Sequence, residues 1–258
     1  IIEDSEGDLW YGTNNGISLQ DSKTGKWRSF LSTFENVQNS KNHIFTTLCE
    51  VSPGIIWAGG YFSGLYQIDK RTSKTTYFTP ASYAHESIRP DKYIRDIRKD
   101  SRGYVWSGGY YNLKRINVQT KDIRLYHGLH SVTAIIEKDD KSMWIGTATG
   151  LFLLDIESGK YERIQLPVES TYVYSLYQTK QGSLYIGTSG SGVLIYDPQT
   201  KLFTHYYTGN CAMISNNIYT ILSDEDNEIL LSTENGLTSF YPKQKTFYNW
   251  TKEMGLMT

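Results

Sequence analysis

The sequence predicts an all-β fold, a β-propeller built of four-stranded antiparallel blades. About six blades are expected, the first incomplete, as part of a larger propeller. Three observations predict this. A large residue in a β-forming context recurs at Trp10, Trp57, Trp106, Trp144, Tyr185 and Leu230, at intervals of 38 to 49 residues, which is the length of a propeller blade. Short segments rich in β-branched and aromatic residues are divided throughout by Gly, Asn and Asp turns. No useful stretch carries the 3.6-residue period of an amphipathic helix.

The clearest copy, EKDDKSMWIGTATGLFLLD from Glu137 to Asp155, reads as a strand end, a charged turn, a strand with Trp144, a Gly-bearing turn and a strand ending in Asp155. Blades are expected over residues 1–31, 43–79, 93–127, 132–165, 172–207 and 217–250, as one propeller fragment. In the first, Ile1 to Asp4 is only the tail of an innermost strand. SEGD turns the chain, and LWYGT, Gly16–Gln20 and Trp27–Phe30 follow as strands. The second has HIFTTLCEV, IIWAGG, GLYQID and a closing strand from Thr75. The third has YIRDIRKD, YVWSGG, LKRIN and DIRLY. The fourth begins with VTAIIEK and ends with YERI, the fifth runs from YVYSLYQ to KLFTHYY, and the sixth from NIYTILS to KTFYNW. The chain starts inside a repeat without an initiator Met, and its tail EMGLMT reads as entry into another repeat. Both ends predict a piece of something longer.

Composition bounds the function. The formal net charge is -1, which gives no reason to expect nucleic acid or an anionic membrane as a direct partner. No run of 18 apolar residues is present, so a membrane would be met only through parts of a parent protein outside this sequence. Cys49 and Cys211 fall in different repeats and read as two inert thiols. Twenty-one tyrosines and six tryptophans suit strands, and they suit surfaces that stack on flat or sugar-like ligands.

An antiparallel meander puts the loops between second and third strands at one end of a blade, together with the interblade linkers. The first-to-second turns share the other end. Those turns are short and charged (Asp4–Asp8, Asp100–Gly103, Asp139–Ser142, Asp224–Asn227) and read as solvated turn chemistry. The loop end is varied and aromatic, so it is the expected place for a ligand. The candidate ligand-binding residues are Tyr61, Phe62, Tyr110, Tyr111, Asn112, Arg89, Glu234 and Asn235. Tyr61-Phe62 and Tyr110-Tyr111 stand out because neighbouring blades carry Gly-Gly-aromatic-aromatic at the same place. A loop tyrosine in such a fold is more often a packing residue on a blade shoulder. The Trp series reads as interblade core.

Catalytic and metal motifs are not found. GxSxG, HExxH, CxxC and a phosphate-binding Gly loop with Lys do not occur. His127 and His130 are spaced HxxH without a specified third ligand. Asp224, Asp226 and Glu228 alternate as in a calcium loop but without its Gly and distal Glu. No catalytic residue, metal site or cofactor is expected.

The pattern EDSEGDLWYGTNNG at Glu3–Gly16 resembles the two-component regulator propeller repeat. Trp144-Ile145-Gly146-Thr147 with Gly150-Leu151, and Tyr185-Ile186-Gly187-Thr188 with Gly192-Val193, are good copies. Leu231-Ser232-Thr233 with Gly236-Leu237 has diverged, and Ala58-Gly59-Gly60 and Ser107-Gly108-Gly109 depart further. The resemblance implies part of a seven-bladed propeller in the periplasmic sensor domain of Bacteroides-type hybrid two-component histidine kinases. It implies a small-molecule ligand, an oligosaccharide released from glycans, and control of transcription through kinase and DNA-binding parts elsewhere. It carries over no ligand residues. Two other classes stay open: a scaffold for protein contacts, including a homodimer through the full receptor, and an enzyme similar to streptogramin lyases, which would call on His127, His130 or His205.

Overall fold

The structure, a computed structural model, describes residues 1–31, 44–78, 93–224 and 228–256. The chain forms two compact units, Ile1–Ile135 and Ile136–Thr258. The first holds three sheets. They are β1 (Ile2–Glu3), β2 (Leu9–Thr13), β3 (Gly16–Gln20) and β4 (Trp27–Phe30); then β5 (Ile44–Ser52), β6 (Ile55–Tyr61), β7 (Gly64–Asp69) and β8 (Thr75–Tyr77); then β9 (Ile94–Lys99), β10 (Tyr104–Gly109), β11 (Leu113–Asn117) and β12 (Ile123–Tyr126). The unit boundary falls inside β13 (Val132–Asp139), which opens the fourth sheet and is followed by β14 (Ser142–Thr147), β15 (Gly150–Asp155) and β16 (Tyr161–Ile164). The fifth comprises β17 (Val173–Gln178), β18 (Leu184–Thr188), β19 (Val193–Asp197) and β20 (Leu202–Tyr206). The sixth comprises β21 (Ile218–Ser223), β22 (Ile229–Thr233), β23 (Gly236–Tyr241) and β24 (Thr246–Trp250). Among the described residues the only helix is one turn, Lys252–Met254.

Each sheet is a four-stranded meander in chain order, paired antiparallel. This is an all-β propeller fold of six blades, and the first is cut short to Ile2 and Glu3 in its first strand. Each part of the repeat has a physical cause. The Trp series is core: Trp10, Trp57, Trp106 and Trp144 are almost wholly buried. In the first unit Trp10 packs with Phe30 and with Phe45, Leu48 and Ile56 of the next blade. The glycine two residues on lets blades approach: a Cβ at Gly12 would collide with the Phe45 backbone, and one at Gly187 with Ser175 and Ile218. The threonine after it closes the hairpin, because its hydroxyl donates to a glycine carbonyl: Thr13 to Gly16, Thr147 to Gly150, Thr188 to Gly192 and Thr233 to Gly236, at 2.7–3.0 Å. The Asp or Asn ending the third strand accepts from backbone N–H groups two or three residues on, as Asp21, Asp69, Asn117, Asp155 and Asp197 do.

The charged first-to-second turns correct one expectation. They are not all solvated: Asp4, Asp8 and Asp100 are buried. One Asp4 oxygen accepts from the Glu6 and Asp8 N–H groups at 3.0 Å, and the other from Trp10 Nε1 at 2.8 Å and Lys70 Nζ at 2.6 Å. Asp100 likewise takes Trp106 Nε1 at 2.9 Å and pairs with Arg115 at 3.2 Å. A buried indole N–H needs an acceptor, and a buried carboxylate needs a cation.

Candidate functional site

The loop ends of blades 2 and 3 differ from the rest in sequence, and the difference has a structural cause. Both replace the hairpin threonine with glycine, Gly60 and Gly109. Without that hydroxyl the connection is held in other ways. In blade 2 the buried Ser63 hydroxyl lies 3.0 Å from the Ile44 carbonyl and 3.1 Å from that of Tyr61. In blade 3 the Tyr110 N–H donates to the Tyr93 carbonyl at 3.2 Å, and the Ser131 N–H donates to the Tyr110 carbonyl at 3.0 Å. His130 Nδ1 meets the Tyr111 carbonyl at 2.5 Å.

These connections present a continuous cluster of rings. Tyr61 and Phe62 both contact Tyr93, with centroids 6.3 and 4.7 Å away. Tyr93 contacts Tyr110 at 6.2 Å, and Tyr110 contacts Tyr111 at 4.9 Å. A single bridge between Tyr61 and Tyr93 ties the two blades. Phe62 is 49% exposed, Tyr110 55% and Tyr111 41%. Phe62 also has φ of 61°, a backbone state uncommon for a bulky residue. The Arg95 guanidinium lies 5.9 Å from the Tyr61 ring centre, within cation–π range.

Arg95 reaches its place through a recurrent irregularity. The first strand is out of step with the second between Phe45 and Thr47, between Ile94 and Asp96, between Val173 and Ser175, and between Ile218 and Thr220. The extra residues are Thr46, Arg95, Tyr174 and Tyr219. A bulge bends its strand and re-aims the extra side chain, so one position in each of blades 2, 3, 5 and 6 is turned out of the pleat near the loop end.

In the second unit this device builds another ring cluster: Tyr174 contacts Tyr172 at 4.8 Å and Tyr219 at 5.2 Å. His205 stacks on Tyr207 at 4.8 Å and meets the Ser191 carbonyl at 2.6 Å through Nε2.

The structure brings Tyr61, Phe62, Tyr110 and Tyr111 together, with Asn112 half-buried at the end of the same loop. Arg89 lies outside the described residues. Glu234 and Asn235 sit in the second unit and are occupied locally: Asn217 Nδ2 donates to Glu234 at 2.8 Å, and Asn235 Nδ2 donates to the Ile214 carbonyl at 3.1 Å. Sequence reasoning missed Tyr93, Arg95, Tyr172, Tyr174 and Tyr219, all of which were assigned only to strands. The available signal was an aromatic or charged residue at one fixed place in successive first strands. Among the described residues no cluster of three or more His, Cys, Asp or Glu is arranged to hold a metal ion. No helix there is long and apolar enough to cross a membrane.

Comparison with known proteins places these features. Residues 167–190, which lead into and span most of the first hairpin of blade 5, match the family described as two component regulator propeller. The chain is 25% identical, over 97% of its length, to Histidine kinase P4 of Formosa agariphila, of which it covers 19%. Among solved structures it resembles an extracellular domain assigned to a hybrid two component system of B. thetaiotaomicron, with a TM-score of 0.79 at 18% identity, covering 97% of this chain and 34% of that one. It also resembles virginiamycin B lyase of Staphylococcus aureus, with a TM-score of 0.77 at 14% identity, covering 97% of this chain and 83% of that one. One segment of the chain thus matches the two component regulator propeller, the chain spans about a fifth of the curated relative and about a third of the extracellular domain it resembles, and its likeness to the solved structures is one of propeller fold.

Proposed function

We propose that the chain is the ligand-sensing propeller region of a two-component receptor, held on the periplasmic side of the membrane. It recognises an oligosaccharide derived from a glycan and controls transcription through domains elsewhere in its parent. The observation that carries this reading is the ring cluster Tyr61, Phe62, Tyr93, Tyr110 and Tyr111 beside Arg95. Aromatic faces bury the C–H faces of sugar rings, and a guanidinium donates to hydroxyl or carboxylate oxygens. The likeness to extracellular sensor domains supports the setting.

Calorimetry across a glycan panel, with the chain in its intact ectodomain, tests this. A saturable response is expected that weakens about tenfold or more in Tyr110→Ala/Tyr111→Ala, in keeping with the loss of two stacking rings. Silent titrations across the panel would remove the carbohydrate reading. The exposed rings also suit a protein partner or a second receptor subunit. Sedimentation of Phe62→Ser beside the wild type tests that reading, since loss of a dimer would favour it.

A further inference from the structure

A cavity of about 600 Å³ opens between blades 5 and 6, at the end where the first-to-second turns lie. Tyr177, Thr179, Ser183, Tyr185, Glu228 and Tyr241 are among its walls. Its origin is legible by comparison with the junction of blades 1 and 2. There, Lys70 of blade 2 reaches Asp4, Glu6 and Asp8 of blade 1 at 2.6–2.7 Å, and Asp4 holds the Trp10 indole. The five residues form a charged plug.

The fifth blade builds the same turn. Thr179 N–H donates to the Ser183 carbonyl and Gly182 N–H to the Thr179 carbonyl, as Asp4 and Gly7 do with Asp8 and Asp4. Thr179 Oγ1 accepts from the Ser183 N–H at 3.1 Å, as Asp4 Oδ1 accepts from Asp8. A threonine hydroxyl has one neutral oxygen, whereas a carboxylate has a second, charged oxygen for the indole and the lysine. Counting from this turn, Asp4, Glu6, Asp8 and Trp10 correspond to Thr179, Gln181, Ser183 and Tyr185. Lys70, just after the third strand, corresponds to Pro242. All five replacements are uncharged or lack the plug's reach, and all five line the cavity.

We infer that this cavity is a second ligand site, for a neutral, polyhydroxylated molecule of mono- or disaccharide size. Its volume lies in the ordinary range for small-molecule sites. Tyr177 and Tyr185, 6.1 Å apart between centroids, supply ring surface. Thr179, Gln181, Ser183, Ser223 and Gln244 supply groups that both donate and accept, the match for sugar hydroxyls. The Tyr241 hydroxyl donates to Glu228, and that hydrogen bond, with desolvation and the carboxylate's charge behind it, holds the phenol above its ordinary range. Among the described lining residues Glu228 and Lys243 are the charged ones, one of each sign, so the wall has no net charge to favour a charged ligand. The site stands on its own observations and does not require the ring cluster of blades 2 and 3 to bind anything.

Saturation-transfer NMR and calorimetry of the full chain test it, with glucose, galactose, mannose, maltose, cellobiose and lactose as neutral probes and glucuronate and glucosamine as charged ones. Binding of at least one neutral probe is expected. Measured in a Tyr110→Ala/Tyr111→Ala background, so that the ring cluster of blades 2 and 3 does not contribute, it should fall about tenfold or more in Tyr241→Phe and in the plug-restoring variant Thr179→Asp/Ser183→Asp/Tyr185→Trp/Pro242→Lys. Tyr241→Phe keeps the test decisive should the fourfold variant fail to fold. The inference is overturned if no neutral probe binds, if charged probes bind better, or if binding follows Tyr110/Tyr111 and ignores Tyr241.

Discussion

The junction of blades 1 and 2 and that of blades 5 and 6 share one backbone and reach opposite outcomes. In the first, two buried aspartates, a lysine and an indole close the space between blades. In the second, a threonine, a serine, a tyrosine and a proline stand at the corresponding places, and the space is a cavity of about 600 Å³. The turn hydrogen bonds are the same. What differs is the set of side chains on that frame: paired carboxylates facing a lysine in the first junction, and hydroxyls facing a proline in the second. In this repeat the backbone frame sets where a junction lies, and a few side chains decide whether it is filled.

The largest expected effect comes from breaking the plug. Lys70→Met leaves Asp4 and Asp8 buried without their cation, and removal of one partner from a buried ion cluster costs about 3–5 kcal/mol. Denaturant unfolding should show a loss of that order, and a loss below about 1 kcal/mol would mean the plug is not holding the junction.

Acid should separate the two junctions next. Asp8 tends upward through burial, but bonds from Lys70 and Ser22 hold it down to about 2, against an ordinary value of 3.8. Asp4 is lowered as well, the same burial being outweighed by Lys70 and Trp10. A depressed carboxylate stabilises the fold above its unfolded pKa and loses that contribution as pH falls through the folded one. Protection from hydrogen exchange at blades 1 and 2, taken relative to the intrinsic rate at each pH, should therefore fall between about pH 4 and pH 2, less so in Asp8→Asn. The junction of blades 5 and 6, where Thr179 and Ser183 do not titrate, should change less over that window.

Filling the open junction should have a smaller effect. Tyr185→Trp adds ring surface beside the cavity and should raise stability by no more than about 1 kcal/mol, because Thr179 has no second oxygen for the new indole N–H. Smallest of all is Pro242→Lys alone, expected within about 0.5 kcal/mol, since no aspartate waits for the ammonium group. A large gain from that single change would break the comparison by showing that the lysine, and not the pair of acids, makes the plug.

The fold was legible because its signals are local and repeated. The Trp spacing, the glycine beneath the neighbouring blade, the threonine latch and the Asp at the third hairpin each act within a few residues or at one fixed contact. The ring pairs Tyr61-Phe62 and Tyr110-Tyr111 were legible for a related reason: they stand where Gly60 and Gly109 break the pattern. Tyr93 and Arg95 were not, because a bulge that re-aims Arg95 leaves no mark in an alternating strand pattern. The buried state of Asp4 was hidden too. Its cation, Lys70, lies 66 residues away in sequence, and a charged turn with a distant partner reads like a solvated one. The cavity follows from the same limit, since an absence of plug residues is visible only once the plug has been seen elsewhere.

The central claim is that this propeller receives a glycan ligand. Amide hydrogen exchange of the chain, with and without a pooled glycan panel, tests it most directly, because it locates binding without choosing a site beforehand. Slower exchange is predicted in peptides covering residues 61–62, 93–95 and 110–111. Exchange that is unchanged across the whole chain at saturating glycan would contradict it.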